Sequence, residues 1–211
     1  MAERLSDFLT QLPPGRLAID YGEQAISVGE LQDDSARLAA GLRALGITAG
    51  DRVALWLPNI PAWLSFFFAC ARIGAIAVSV NTRFRAQEVE DIVGRAGCRA
   101  LVLWPGFKAI DFSGILAEVT PGALAALTDI VTYSEEPTPT PFALGNCRVT
   151  PHTALLASAS DALAPAPADA RCVIFTTSGT TKAPKFVCHQ QWGVAQHARE
   201  VAVGFGFDAP G

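Results

Sequence analysis

The residues best suited to chemistry are concentrated in one segment, residues 173–189, which reads VIFTTSGTTKAPKFVCH. An apolar stretch leads into hydroxyl side chains around a glycine, and two lysines follow. Hydroxyls and backbone N–H groups can surround phosphate oxygens, glycine permits a close approach, and lysines add point charges. The pattern predicts a polyphosphate-binding loop between a strand and a helix, with a hydroxyl-rich surface turn as the alternative. The candidate phosphate ligands are Thr177, Ser178, Gly179, Thr180, Thr181, Lys182 and Lys185.

Two better-known site types do not fit this segment. No Gly-Lys-Ser/Thr triplet closes the loop, so it differs from the P-loop of nucleoside triphosphatases. Ser178 does not stand in a G-x-S-x-G pattern, so a hydrolase nucleophile is not indicated either.

The segment 177–185, TSGTTKAPK, resembles the signature of the adenylate-forming enzyme superfamily, [ST]-S-G-[ST]-T-G-x-P-K, at eight of nine positions. The exception is Lys182, where that family prefers glycine. Residues 50–93 resemble the family's N-terminal subdomain, and the string VNTRF at 80–84 is similar to acyl-CoA synthetases. The resemblance covers roughly residues 20–205, and the connection 134–170 matches poorly.

The resemblance implies a two-step reaction in which ATP, Mg²⁺ and coenzyme A act on a small carboxylic acid. ATP and the acid give an acyl-adenylate and pyrophosphate, and coenzyme A then takes the acyl group. The loop would hold the β- and γ-phosphates during the first step, which is electrostatic positioning. The side chain of Lys182 would either displace the loop or add a phosphate contact.

The family's later motifs are expected beyond Gly211, so no catalytic residue is assignable and the acid is not identified. We therefore expect the 211 residues to be inactive alone. Two alternatives stay open: a non-catalytic remnant or assembly module, and another branch of the superfamily such as an amino-acid adenylation domain. VNTRF favours the acyl-CoA synthetase branch.

The elements that must position this loop follow an alternating pattern of strands and helices. Alternation with short connections predicts an α/β fold, with a mostly parallel sheet covered by helices on both faces. The predicted strands are 17–21 and 24–27, which form a hairpin-like pair, followed by 52–57, 75–80, 100–104, 129–133 and 172–176. A short helix is predicted at the start of the chain, and Ser27 with Glu30 predicts a capping box at the start of a helix that ends at Gly46. The other predicted helices are 62–72, 86–96, 114–119, 153–158 and one from residue 190.

We interpret residues 1–211 as a partial N-terminal adenylation domain, with its main α/β subdomain at 50–205. Residues 134–170, rich in Pro and Ala, are expected to form an extended connection. The apolar run from Ile60 to Val80 could span a bilayer, but the prolines at its front and Gly74 favour a buried helix followed by a buried strand.

The composition limits which classes of partner and which cellular compartment are expected. The net charge is −4 and no basic stripe occurs, which argues against nucleic acid. The five cysteines form no C-x-x-C pair and no secretory leader precedes them, which favours a cytoplasmic protein. With three histidines, a metal site built by the protein is not expected.

The segment after the loop carries apolar residues without an evident partner. Trp192, Ala195 and Ala198 are expected to face the core from the last helix, whereas Phe205 and Phe207 are left uncovered. We therefore expect self-association through this surface. Further predictions are that His189 begins the last helix, that Cys188 is buried and inert, and that Arg83 and Arg85 are solvated.

Overall fold

A computed structural model describes residues 3–136, 139–159, 164–177 and 184–207. The helices in these ranges are α1 (Leu5–Thr10), α2 (Val28–Ala44), α3 (Pro61–Ile73), α4 (Ala86–Val89), α5 (Phe112–Ala117), α6 (His152–Leu156) and α7 (Gln191–Phe205). A π-helical turn, Glu90–Gly94, continues α4 directly. The strands are β1 (Leu17–Tyr21), β2 (Gln24–Ser27), β3 (Arg52–Trp56), β4 (Ile76–Ser79), β5 (Ala100–Leu103), β6 (Asp129–Thr132), β7 (Arg148–Pro151), β8 (Arg171–Thr177) and β9 (Lys185–Gln190).

Seven strands form one sheet in the order β7-β6-β5-β3-β4-β8-β9. The first six are parallel, and β9 is antiparallel to β8. β1 and β2 form a separate antiparallel hairpin, as predicted. The predicted mostly parallel α/β fold is therefore confirmed.

Helices cover the sheet on both faces, because side chains along each central strand alternate between two apolar cores. Val53 and Leu55 of β3 belong to the core that includes side chains of α2, α3 and α6. Ala54 and Trp56 belong to the opposite core, which includes side chains of α4 and α5. Both faces of β3 are thus buried, which explains the continuous apolar sequence of this strand.

Local signals in the sequence set the ends of the two longest helices in the first half of the chain. The Ser27 hydroxyl accepts a hydrogen bond from the Glu30 N–H, and the Glu30 carboxylate accepts one from the Ser27 N–H, so α2 begins with the predicted capping box. α3 begins at Pro61 and ends at Gly74, which has φ +73°. The apolar run 60–80 is therefore helix α3 followed by strand β4, as predicted.

Outside the candidate phosphate segment and the strand that follows it, three predictions of secondary structure need correction. The predicted helix 86–96 is a short α-helix that changes into the π-helical turn at Glu90. The connection 134–170 contains β7 at the edge of the sheet, in addition to the expected short helix. The predicted helix 114–119 begins at Phe112 instead, because the Asp111 carboxylate accepts the Gly114 N–H at 2.8 Å and caps it.

Candidate functional site

The two ends of the candidate phosphate segment lie side by side at the carboxyl end of β8. β8 is paired with β4 through Val173 and Ile174, so its own carboxyl end shares the edge at which the other parallel strands end. On its other side β8 pairs with β9, and Thr177 faces Lys185 across that pairing. Both residues are exposed. The first and last residues of the motif are therefore neighbours, separated by residues 178–184 along the chain.

The other predicted ligands lie outside the described residues. They are Ser178, Gly179, Thr180, Thr181 and Lys182. The structure thus brings Thr177 and Lys185 together, and the remaining five assignments stay predictions.

The element after the loop differs from the expectation of a loop running directly into a helix. Residues 185–190 form β9, and α7 follows at Gln191. The signal was present in the sequence, since Phe186 and Val187 favour a strand. The strand was nevertheless missed because β9 lies at the edge of the sheet, and its side chains are exposed apart from the half-buried Phe186. Its sequence therefore lacks the alternation of apolar and polar residues that indicates a strand.

The residues at the end of β9 do not form a nucleophilic pair. His189 lies on the strand, not at a helix start, and its ring centroid is 6.0 Å from that of Phe175. Cys188 is exposed, contrary to prediction, because it belongs to the same edge strand. Partial burial nevertheless raises the pKa of its thiol, which disfavours the reactive thiolate.

A cavity of about 640 Å³ opens near the same edge of the sheet, where β3, β4 and β5 end. β3 and β5 are adjacent, but the helices that follow them pack on opposite faces, so the cavity lies at a switch point of the sheet. Its polar lining includes Asn81, Arg83 and Lys108, and Phe175 of β8 closes one side. The cavity therefore places two cationic side chains on the same side of the sheet as Phe175, which stands two residues before the candidate phosphate segment.

Backbone conformation and hydrogen bonds shape this cavity. The Asn81 side-chain oxygen accepts the Arg83 N–H at 2.9 Å, and the Trp56 indole donates to the Asn81 carbonyl oxygen at 2.9 Å. Lys108 and Ala109 have φ of +48° and +55°, a conformation that non-glycine residues rarely adopt outside functional or tightly constrained sites. Arg83 is exposed as predicted, yet it also lines the cavity, and the sequence offered no signal for Lys108.

Two classes of site are not found within the described ranges. No group of three His, Cys, Asp or Glu side chains there is arranged to hold a metal ion. None of the helices in these parts of the chain is long and apolar enough to cross a membrane.

Comparison with known proteins identifies the family to which most of the chain is similar. The profile of the family described as AMP-binding enzyme matches residues 7–209. A human mitochondrial medium-chain acyl-CoA ligase, ACSF2, is 31% identical over 137 residues, which are 61% of this chain and 22% of that protein. A feruloyl-CoA synthase from an Amycolatopsis species is 32% identical over 178 residues, which are 83% of this chain and 30% of that protein.

The fold also matches a solved structure, the inhibitor-bound N-terminal domain of FACL13 from Mycobacterium tuberculosis. The TM-score is 0.71 at 28% identity, and the match covers 89% of this chain and 44% of that one. The matched segment takes up less than a third of either curated relative.

Proposed function

Because the chain belongs to the AMP-binding enzyme family, we propose that it is the N-terminal part of an AMP-forming acyl-CoA ligase whose segment 177–185 holds the phosphates of ATP. The observation that carries the proposal is the pairing of Thr177 with Lys185, which brings the two ends of the family's signature together. Both curated relatives described above are named as ligases or synthases of acyl-CoA thioesters, which supports the same reaction class.

In the proposed reaction, a carboxylate oxygen attacks the α-phosphorus of ATP, and pyrophosphate leaves with the electron pair of the broken P–O bond. Coenzyme A then displaces AMP from the acyl-adenylate through its sulfur. Lys185 contributes a positive charge beside the leaving phosphates, and Thr177 contributes a hydroxyl. Mg²⁺ enters this proposal as part of the Mg–ATP substrate.

We assign the cavity with Arg83 and Lys108 to an anionic part of the same substrates. Coenzyme A carries several phosphates, and two exposed cations at the rim of a cavity suit such a group. The cavity borders Phe175, two residues before Thr177, so a ligand there would lie near the phosphates of ATP. The acid itself is a small carboxylic acid of unspecified class.

The organisation of the chain is proposed on the same grounds. Residues 1–211 form part of an N-terminal adenylation domain with the main α/β subdomain at 50–205. A reducing, cytoplasmic setting is proposed because all five cysteines are free in the structure, although one of the relatives is mitochondrial. We further propose that the chain self-associates through its exposed apolar residues.

The proposal predicts that these 211 residues bind Mg–ATP but do not catalyse formation of the acyl-adenylate. Since the relatives extend far beyond the matched segment, we expect groups outside this chain to complete the catalytic site. In a calorimetric titration, Mg–ATP should bind more tightly than AMP, because the proposed contacts are with the outer phosphates. Pyrophosphate release with ATP, coenzyme A and a panel of fatty and aromatic acids should stay at background. Equal affinity for ATP and AMP would contradict the phosphate assignment, and robust pyrophosphate release would contradict the inactivity.

A further inference from the structure

Arg95 is distant in sequence from Lys185, yet its side chain reaches the strand that carries this lysine. Its guanidinium carbon lies 4.4 Å from the centroid of the Phe186 ring, and its Nη2 donates a hydrogen bond to the Pro184 carbonyl oxygen. Pro184 and Phe186 are the immediate neighbours of Lys185. One side chain therefore holds the backbone before this lysine and the side chain after it.

The backbone from which Arg95 projects is itself fixed. Arg95 directly follows the π-helical turn and caps it, since its N–H donates to the Glu90 carbonyl oxygen at 3.2 Å. A Cβ on Gly94 would lie 2.6 Å from the Ala123 carbonyl oxygen, so this end of the turn packs directly on the next segment. The Glu90 carboxylate also accepts the Thr120 N–H at 3.0 Å. π-Helical turns are rare and frequently occur at functional sites, and this one sets the direction of Arg95.

β9 needs such support because it is the last strand of the sheet. It pairs only with β8, and Phe186 is its half-buried residue. Successive side chains of a strand point to opposite faces. Holding Phe186 on one face therefore fixes Lys185 on the other, opposite Thr177.

We propose that Arg95 is a positioning residue for ATP binding, which acts through Pro184 and Phe186 to hold Lys185 in place. This inference rests on the proposed function, because it requires Lys185 to meet phosphate. Arg95 itself makes no contact with the nucleotide in this proposal.

The test measures binding of inorganic tripolyphosphate, Mg–ATP and AMP to the whole chain by calorimetry. The variants are Arg95→Ala, Phe186→Leu, their combination, and Lys185→Ala, and Arg43→Ala on the exposed side of α2 is the matched control. Loss of a cation–π contact at an exposed site should weaken tripolyphosphate and ATP binding by about two- to fivefold. The affinity of the Arg95 and Phe186 variants for AMP should equal that of the wild type, and Arg43→Ala should bind all three ligands as the wild type does. A general structural defect would instead weaken AMP binding as well.

The double variant separates positioning from direct contact. Since both single changes break the same link, their combination should weaken binding no more than Arg95→Ala alone. Additive losses would overturn the inference in favour of a direct contact between Arg95 and phosphate. If Arg95→Ala lowers the unfolding midpoint, the test uses Arg95→Lys instead. Lysine keeps the positive charge but lacks the planar guanidinium group, which stacks on an aromatic ring and donates several hydrogen bonds. Wild-type affinity in Arg95→Lys would overturn the inference.

Lys185→Ala distinguishes the two proposals. If it weakens tripolyphosphate binding while Arg95→Ala does not, the positioning role is wrong and the phosphate assignment stands. If Lys185→Ala has no effect, or wild type binds no tripolyphosphate, the proposed function fails and the inference fails with it.

Discussion

Lys182 is the one residue of the nine-residue signature that departs from the family pattern, and it stands three residues before Lys185, which agrees with that pattern. Lys185 has a defined place in the structure, at the start of β9 and opposite Thr177. Its backbone is held by strand pairing and by the contacts of Arg95 with its neighbours. Because Lys185 also matches the family pattern, we propose it as the main cation of the segment.

We therefore expect Lys185→Ala to weaken Mg–ATP binding more than Lys182→Ala does. A point charge that meets phosphate at an exposed site contributes about 1 kcal/mol, or about a fivefold change in the dissociation constant. The loss should shrink as salt increases, because exposed charges are screened. Titration of both variants with ATP at two ionic strengths checks this. Equal or reversed losses would show that Lys182 has taken over the phosphate contact.

Residue identity allowed the candidate segment to be predicted, but not its surroundings. A run of hydroxyls, glycine and lysine suits phosphate binding wherever it occurs in a fold, so Thr177 and Lys185 could be proposed as ligands from the sequence. Lys108 could not, because its place at the cavity depends on how the connections after β3, β4 and β5 converge. Arg95 likewise gave no local signal, since its partners lie 89 and 91 residues further along the chain.

At the scale of elements, strands were predicted well where both of their faces are buried. β3, β5 and β6 are almost wholly buried. Apolar residues predominate in β3 and β5, and β6 has the β-branched pair Ile130 and Val131 at its centre. β7 and β9 were missed because they are the two edges of the sheet and expose much of their surface. The π-helical turn was missed for a different reason, because one widened turn leaves the apolar spacing of a helix almost unchanged.

The packing of α2 against α6 gives an element-scale prediction. A Cβ on Gly41 of α2 would lie 2.7 Å from the Leu155 Cβ and 2.8 Å from its Cα, so the helices touch where only glycine fits. Gly41→Ala should therefore lower the free energy of unfolding by about 1–3 kcal/mol, as overpacked cores do. Urea denaturation followed by circular dichroism measures the change.

Gly193→Ala in α7 is the matched control for this substitution. A Cβ there meets no atom within 4 Å, so the helix should gain about 0.5–1 kcal/mol from the lost freedom of glycine. A Gly41→Ala variant as stable as wild type would show that α6 can move away from α2, and that the close approach is not required.

At the scale of the whole molecule, the end of the sheet and the last helix carry exposed apolar side chains. Val203, Phe205 and Phe207 are 67%, 73% and 68% exposed, and the two phenylalanine rings stack on each other at 5.7 Å. Of the three residues expected to face the core from α7, only Ala195 is buried, whereas Trp192 is 40% exposed. More of the apolar surface of α7 is therefore exposed to solvent than its sequence predicted.

We expect this surface to drive self-association, because large exposed apolar patches tend to be buried by contact with another molecule. Light scattering over a range of concentrations should show a mass above 22.2 kDa that increases with concentration. A Phe205→Ser/Phe207→Ser variant should move the mass toward the monomer, whereas Tyr21→Ser, an exposed aromatic on the hairpin, should not. A monodisperse monomer with protected amides in residues 190–207 would contradict the expectation.

Contact between segment 177–185 and the phosphates of ATP can be tested directly by labelling lysines. The chain has three lysines, Lys108, Lys182 and Lys185, so an ATP analogue carrying a pyridoxal aldehyde on its phosphate chain has few targets. After borohydride reduction, peptide mass spectrometry identifies the modified lysine. We predict modification of Lys185, or of Lys182 beside it, that excess ATP prevents and excess AMP does not. Modification confined to Lys108, or labelling that ATP fails to prevent, would contradict this contact.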